Sequence, residues 1–277
     1  MTVKTTQEID WRQRAQQLIT SKRIACQAYI DGRYVDAYDG NTFDCISPID
    51  GTLLVKVASC DNHDIDAAVK AARRSVVQGT WSSLSPSARK KILLKFADLI
   101  EQHAEELALL ETLDMGKPIR YSLAVDIPAA VKCVRWYAEA IDKLYAEVAP
   151  TSRDVLATIT REPVGVVGIV VPWIFPLLMA AWKFAPALAA GNSVVIKPSE
   201  KSPLTALQVA QLATQAGIPD GVFNVVPGLG HIAGKALAMH MDVDCIAFTG
   251  STATGKQMMQ YAGQSNLKRV WLECGGK

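Results

Sequence analysis

The second half of the chain alternates between short apolar runs and segments whose apolar residues recur at helical spacing. From Val164 onward the apolar runs predict β-strands over residues 166–171, 193–197, 222–226, 243–248 and 268–273. The segments between them predict helices over 177–190, from Ser202-Pro203 to Gly217, over 231–240 and over 252–263. Strands and helices that alternate in this way form a parallel sheet covered on both faces, so we predict an α/β fold.

The first half of the chain predicts helices together with a few short strands. Tyr29–Val35 has the apolar–Asp-Gly–apolar form of a β-hairpin. Capping residues and helical spacing predict helices over about 64–78, from Ser85-Pro86 onward, over 104–116 and over 126–147. Residues 151–163 alternate without helix signals, and we interpret them as a strand or hairpin arm that stands apart from the core.

One uncharged stretch, residues 164–182, has the length of a transmembrane helix. Pro172 and Pro176 would break such a helix twice within one short segment. Fully buried parallel strands also form continuous apolar runs, so a strand, an irregular turn and a helix are the better interpretation. We therefore expect no membrane span.

Composition narrows the class of protein further. Lys and Arg number 29 and Asp and Glu 27 among 277 residues, so no strong charge favours nucleic acid or an anionic membrane as a partner. The 6 cysteines and 4 histidines show no spacing typical of zinc ligands, which argues against a metal site and against a disulfide scaffold. The N-terminus is too polar for a secretory signal, and we expect a cytoplasmic protein.

Ligands of open α/β sheets bind at the carboxyl ends of the strands, and one loop there is suited to an anion. Phe248–Gln257 follows a predicted strand and opens a helix whose free N–H groups form an anion site. Gly250 permits close approach, and the Ser251 hydroxyl can donate to a phosphate. The stretch nearly matches the P-loop pattern GxxxxGK[ST], but Gln257 lacks the hydroxyl that holds magnesium. An ordinary strand–helix turn and a P-loop nucleotide hydrolase are the alternatives.

Two further strand-end loops are candidates for binding. Residues 227–234 resemble GxGxxG with one residue too many, and Gly230 offers a second place for close backbone approach. Lys197 and Glu200 follow another predicted strand. A carboxylate there accepts from ribose hydroxyls and repels a 2′-phosphate, and Lys197 can donate to the same ribose. The alternatives are an ordinary loop and a solvated ion pair.

Four motifs then converge in one order: PWIFP at 172–176, KPSE at 197–200, FTGSTATGK at 248–256 and LECGGK at 272–277. They resemble the PWNFP, KP(S/A)E, FTGSxxxG and LELGGK motifs of the aldehyde dehydrogenase superfamily. The likeness runs from about residue 28 to the end of the sequence. Bacterial members of this family that act in putrescine breakdown are similar to the sequence in three stretches, EELALLETLDMGKPIR, RWYAEAIDKLYAEV and KRVWLE.

The resemblance implies a fold, a reaction and partners. Residues 1–148 would form the N-terminal part of the cofactor-binding domain, 149–163 the first part of an oligomerisation arm, and 164–277 a Rossmann-like NAD-binding region. Members of the family oxidise a small aldehyde to a carboxylic acid with NAD(P)⁺, and full-length members form homo-oligomers. We expect NAD in preference to NADP because of Glu200.

The resemblance also assigns roles to single residues. Glu273 matches the general base that activates water to hydrolyse a thioester. Positions that match the family's cofactor site are Trp173, Lys197, Glu200, Gly230, Gly250, Ser251 and Gly255. Positions that match the lining of the aldehyde tunnel are Phe175, Met179 and Trp182.

The sequence departs from the family in two respects. The family's nucleophilic cysteine follows the glutamate motif at a distance that lies beyond residue 277, so we expect the catalytic domain to be absent and the chain alone to be inactive. Ile174 stands where the family has an asparagine whose amide helps to hold the oxyanion. A catalytically dead remnant or a derived binding protein is therefore an alternative. Cys274 adjoins Glu273 in a strand, so their side chains point to opposite faces, and we interpret Cys274 as packing.

Overall fold

The structure, a computed structural model, describes residues 9–21 and 23–276. Its α-helices are α1 (Trp11–Thr20), α2 (Asn62–Gln78), α3 (Pro86–Gln102), α4 (Ala104–Met115), α5 (Ile119–Tyr121), α6 (Ile127–Ala140), α7 (Pro176–Ala189), α8 (Leu204–Ala216), α9 (Lys235–Met239) and α10 (Thr252–Gly263). Its strands are β1 (Ala28–Ile30), β2 (Arg33–Val35), β3 (Thr42–Ile46), β4 (Leu53–Ala58), β5 (Glu147–Ala149), β6 (Ala157–Ile159), β7 (Val166–Val170), β8 (Ser193–Lys197), β9 (Phe223–Val225), β10 (Cys245–Gly250) and β11 (Arg269–Cys274). Ser122–Asp126 and Gly230–Gly234 are π-helical turns, and Ile141–Lys143 is a 3-10 turn.

The central sheet has the strand order β11-β10-β7-β8-β9-β1-β2. The strands from β11 to β9 run parallel, which confirms the prediction from the apolar runs. The hairpin of β1 and β2 extends the sheet antiparallel beyond β9, so the sheet is mixed. Asp31 and Gly32 both have positive φ, 54° and 78°, as the turn of a two-residue hairpin requires.

Helices cover both faces of the sheet. On one face α3, α6, α7 and α8 pack around Phe96, Phe184 and Phe223, whose ring centroids are 5.4, 5.8 and 5.9 Å apart. On the other face α2, α9 and α10 cover a second apolar layer that includes Ile65 and Ile246. This two-layer burial confirms the predicted α/β fold class and fixes the sheet edge on which the candidate residues lie.

Local capping signals place the helix starts as predicted. The Asp61 carboxylate accepts from the N–H of His63 at 2.7 Å. It also accepts from the N–H of Asp64, whose carboxylate accepts from the N–H of Asp61 at 3.0 Å. This reciprocal pair is a capping box that begins α2. Ser85 accepts from the N–H of Ala88 at 3.3 Å and begins α3.

Two helix predictions were wrong in extent. The helix predicted over 126–147 is preceded by the π-helical turn and ends at Ala140. Glu147, the last residue of the predicted helix, instead begins β5, which pairs antiparallel with β6. The helix predicted over 231–240 consists of a π-helical turn and the short α9.

Strand β11 is more exposed than its apolar sequence predicted. Trp271 is 67% exposed and Leu272 37%. Within the described residues β11 is the last strand of the sheet, with β10 as its one neighbour, so its outer side is uncovered. An apolar edge of this kind is a surface on which further protein can pack.

The uncharged stretch 164–182 is accounted for by β7, a turn and α7, as predicted. Across residues 9–21 and 23–276, none of the helices combines the length and the apolar character that a bilayer crossing requires.

Candidate functional site

The carboxyl ends of four parallel strands meet at one edge of the sheet. Lys197 of β8 pairs with Val170 of β7, and Val170 pairs with Phe248 of β10. Thr249 of β10 pairs with Glu273 of β11. These strand ends are hereafter called the strand-end edge. The fold therefore brings together side chains that the sequence separates widely, at the place where α/β sheets bind ligands.

Lys197 and Glu200 form an ion pair at this edge. Lys197 is buried, and its Nζ donates to Glu200 Oε2 at 3.1 Å. Burial lowers the pKa of Lys197, and the charge of Glu200 partly offsets this. Burial raises the pKa of Glu200, but the charge of Lys197 and hydrogen bonds outweigh it and hold that pKa below its usual value. Since an ammonium has three protons and Glu200 takes one, Lys197 retains donors for a ligand.

Ser251 lies at the N-terminus of α10, directly after β10. Its Oγ accepts from the N–H of Thr254 at 3.2 Å and lies 2.9 Å from Thr254 Oγ1. A Cβ added to Gly250 would lie 2.6 Å from the Phe248 ring, so glycine is required for the approach of backbone and ring. The N–H of Thr254 is thus used by the cap, whereas the N–H groups of Thr252 and Ala253 precede the intrahelical hydrogen bonds and remain available to an anion.

Gly255 lies away from this anion site. It is buried within α10, and a Cβ added to it would lie 2.7 Å from Cys274 Sγ. Its missing side chain lets α10 approach β11. Neither Gly250 nor Gly255 has a positive φ, and 252–256 is helix, so this segment does not wrap as a P-loop does.

The loop after β9 contains two glycines in different settings. A Cβ added to Gly228 would lie 2.6 Å from the carbonyl oxygen of Cys60, so Gly228 is needed for packing. A Cβ added to Gly230 would meet nothing within 4 Å. The space beside Gly230 is thus open to a ligand, as its predicted role in close backbone approach requires.

The turn that connects β7 to α7 carries Trp173, Ile174 and Phe175, which are all exposed. The Ser202 hydroxyl donates to the carbonyl of Trp173 at 2.9 Å and ties this turn to the loop after β8. Phe175 has φ 45° and ψ 54°, in the left-handed region. Ile174 presents an aliphatic side chain with no hydrogen-bond donor at the position that the family motif gives to asparagine.

An open cavity of about 900 Å³ lies between α6, α7, β10 and β11. Glu273 lines it together with Trp182 and Lys183 of α7. Of the predicted tunnel residues, the structure places Trp182 on this cavity. Met179 is buried in the core, and Phe175 lies in the turn before α7.

Lys183 was not predicted from the sequence as a residue of the candidate site. It is almost fully buried on α7, and its Nζ donates to Thr249 Oγ1 at 2.5 Å. Burial lowers the pKa of Lys183, and the negative charge of Glu273 acts in the opposite direction. A lysine within the apolar helix 177–190 is the signal that could have identified it, because a buried lysine needs a partner.

The buried and half-buried thiols are poor nucleophiles. Burial raises the pKa of Cys45 to about 12, and of Cys133 and Cys245 to about 11. Cys274 is exposed, and its Sγ is directed at Gly255 while Glu273 lines the cavity. The two neighbours therefore face opposite sides of β11, as predicted. No cluster of three or more His, Cys, Asp and Glu side chains suited to a metal occurs in the described parts of the chain.

Comparison with known proteins identifies the class. Residues 34–277 match the aldehyde dehydrogenase family, and the chain belongs to that family. The chain is 58% identical over 267 residues to the NADP/NAD-dependent aldehyde dehydrogenase PuuC of Escherichia coli (strain K12), covering 96% of this chain and 53% of PuuC.

Solved structures of aldehyde dehydrogenases have the same fold as this chain. An indole-3-acetaldehyde dehydrogenase in complex with NAD⁺ superposes with a TM-score of 0.94 at 62% identity, over 96% of this chain and 53% of that chain. The γ-glutamyl-γ-aminobutyraldehyde dehydrogenase from Burkholderia cenocepacia J2315 superposes with a TM-score of 0.93 at 63% identity, with the same two coverages. The sequence thus spans about half the length of the relatives that it matches.

Proposed function

We propose that residues 1–277 supply the cofactor site and the general base for NAD(P)-dependent oxidation of an aldehyde to a carboxylic acid. One observation carries the proposal. The strand-end edge brings the Lys197–Glu200 pair, the N-terminus of α10 and Glu273 to the same side of the sheet. A dinucleotide needs such neighbouring sites for ribose and for phosphate.

The residues present fit a dinucleotide. Lys197 is buried with unused donors, Gly230 leaves open space beside the backbone, and the first turn of α10 offers free N–H groups. Lys197 and Glu200 would hold the adenosine ribose, and Gly250 and Ser251 the pyrophosphate. NAD(P)⁺ supplies the hydride acceptor when bound.

Glu273 is the proposed general base. Its carboxylate lines the cavity, where it can take a proton from water that attacks a thioester. Lys183 lines the same cavity, and the negative charge of Glu273 opposes the lowering of the Lys183 pKa by burial. Trp182 forms an apolar wall of the same cavity, suited to the carbon chain of an aldehyde.

The nucleophilic thiolate is proposed to come from outside residues 1–277. Burial raises the pKa values of Cys26, Cys45, Cys60, Cys133 and Cys245, which keeps these thiols protonated near neutral pH. Cys274 faces α10 instead of the cavity that Glu273 lines. We therefore expect residues 1–277 alone to be inactive toward aldehydes.

The substrate class and the assembly follow the relatives. Likeness to the γ-glutamyl-γ-aminobutyraldehyde dehydrogenase and to PuuC favours an aliphatic aldehyde of putrescine breakdown. The hairpin of β5 and β6 carries exposed Val148 and Ile159, and we propose that it contacts a second copy of the chain. A derived binding protein without catalysis is the second candidate, favoured by Ile174, which offers no donor to an oxyanion.

Titration of the purified chain with NAD⁺ and NADP⁺ by isothermal calorimetry tests the cofactor site. We expect tighter binding of NAD⁺, since the Glu200 carboxylate accepts from a 2′-hydroxyl and repels a 2′-phosphate. Glu200→Gln removes the charge at similar size and should narrow the preference. Equal or tighter NADP⁺ binding by the unsubstituted chain would contradict the role of Glu200.

A further inference from the structure

The turn between β7 and α7 contains a strained residue. Phe175 adopts φ 45° although it is not glycine and although Pro176 follows it. A Cβ disfavours the left-handed region, and a following proline favours extended backbone. Such a conformation persists where surrounding contacts hold it in place.

Lys117 lies directly on Phe175. Its Nζ is 3.8 Å from the centroid of the Phe175 ring, within the range of a cation–π contact. Gly116, with φ 81°, ends α4, and Pro118, which follows Lys117, favours extended backbone at Lys117. The lysine side chain is 18% exposed, so solvent screens the contact only in part.

Lys117 is held in turn by a buried carboxylate. It forms an ion pair with Asp126, whose side chain is completely buried. Asp126 is the last residue of the π-helical turn, in which the N–H of Ile127 donates to the carbonyl of Ser122. Turns of this kind shift the register of a helix and are frequent at functional sites. Here the shifted register presents Asp126 to Lys117.

Glu111 completes the group from α4. It is fully buried, and its carboxyl group lies close enough to Asp126 for that charge to act on it. Burial and the charges of Asp126 and Asp114 raise the pKa of Glu111 far above its usual value. A protonated Glu111 therefore adds no second negative charge beside the Lys117–Asp126 ion pair.

We propose that Lys117, anchored by Asp126 and Glu111, is a positioning residue that holds Phe175 in its left-handed conformation and thereby places Trp173 and Ile174 at the strand-end edge. Loss of the Lys117 charge lets Phe175 relax to negative φ. Trp173 then shifts, and its tie to Ser202 weakens. The consequence for dinucleotide binding rests on the proposed function, whereas the control of the turn does not.

Fluorine NMR of the chain labelled with 5-fluorotryptophan tests the proposal, with the Trp173 resonance assigned by its loss in Trp173→Phe. We expect Lys117→Met to shift or broaden the Trp173 resonance and to speed amide exchange in residues 173–178 about tenfold. Lys117→Arg keeps the cation and should retain the wild-type resonance. Lys95→Met is the matched control, because Lys95 is an exposed helical lysine.

Phe175→Leu examines the same contact from the other side, at an exposed position that does not contribute to the core. It should reproduce the Trp173 shift even if Lys117→Met folds poorly. An unchanged Trp173 resonance and unchanged exchange in a folded Lys117→Met or Phe175→Leu chain overturn the proposal. NAD⁺ added to the same samples separates the two claims. A wild-type chain that binds no NAD⁺ contradicts the proposed function, while the comparison of resonances still decides the role of Lys117.

Discussion

Glu111 is a carboxyl group in a place where a charge is costly. It is fully buried, and its oxygens meet no N–H or O–H donor in hydrogen-bonding geometry among the described residues. The unfolded chain exposes it to water with its ordinary pKa of 4.5, whereas burial raises the pKa in the folded chain. Over this interval the folded state binds more protons than the unfolded state. The stability contributed by this group is therefore complete below pH 4.5 and is lost as pH rises toward the raised pKa.

Glu111→Gln should remove this dependence, since glutamine has the shape of the protonated acid and can donate to Asp126. We expect the variant and the wild type to be equally stable near pH 4. The variant should then become relatively more stable as pH rises, by at most about 1.4 kcal/mol per pH unit. Urea unfolding at several pH values measures this difference. A difference that does not change with pH would show that Glu111 is ionised in the folded chain.

Position 174 is the proposed place of an oxyanion donor. Ile174 has no donor, and removal of one oxyanion donor typically lowers the rate by ~10²–10³. In a fusion of residues 1–277 to the remaining half of a close relative, Ile174→Asn should therefore raise aldehyde oxidation at least about tenfold. Steady-state NADH formation provides the measurement. Equal rates would mean that a backbone N–H group stabilises the oxyanion and that the side chain of Ile174 contributes only to packing.

At the scale of elements, the loop after β9 contains Gly228, which packing requires, and Gly230, which we propose to lie at the cofactor site. Gly228→Ala places a Cβ 2.6 Å from the carbonyl oxygen of Cys60, a backbone atom that cannot rotate away. We expect a loss of about 1–3 kcal/mol in the free energy of unfolding. Gly230→Ala meets open space and should leave stability nearly unchanged while weakening NAD⁺ binding. Denaturation and calorimetry on both variants test this. If neither variant binds NAD⁺ more weakly than the wild type, this loop is not part of the cofactor site.

Elements with local signals could be predicted from the sequence. The Asp61 cap and the Asp31-Gly32 turn lie beside the residues that they organise, and the apolar runs reflect strands that are buried on both faces. The end of α6 at Ala140 could not be predicted from the local sequence. The segment that follows forms β5, and its pairing with β6, which lies further along the chain, outweighs its helix propensity.

The candidate site shows the same division between local and distant signals. Motif residues such as Lys197, Glu200 and Ser251 could be proposed from the sequence because they lie in short motifs that directly follow predicted strands. Lys183 and Lys117 were missed because their partners are remote in sequence. Lys183 meets Thr249 across 66 residues, and Lys117, in the turn after α4, meets the ring of Phe175, in the turn before α7.

At the scale of the molecule, exposed apolar side chains surround one cavity of the described chain. Trp136, Trp182, Trp271 and Leu272 surround the cavity that Glu273 lines, and each is exposed. Exposed patches of this size generally mark a surface that binds other protein or a ligand. Since the chain spans about half the length of its relatives, we expect this surface to accept the segment that carries the nucleophilic thiolate.

The most direct test of the account is activity of that assembled molecule. Residues 1–277 are fused to the remaining half of the Burkholderia cenocepacia relative, which is 63% identical over the shared part. NADH formation from an aliphatic aldehyde is then compared for the fusion, for its Glu273→Gln variant and for residues 1–277 alone. We predict NAD-dependent oxidation by the fusion, a loss of ~10²–10⁴ in Glu273→Gln, and no activity from residues 1–277 alone. Full activity of Glu273→Gln, or aldehyde oxidation by residues 1–277 without the added half, would contradict the account.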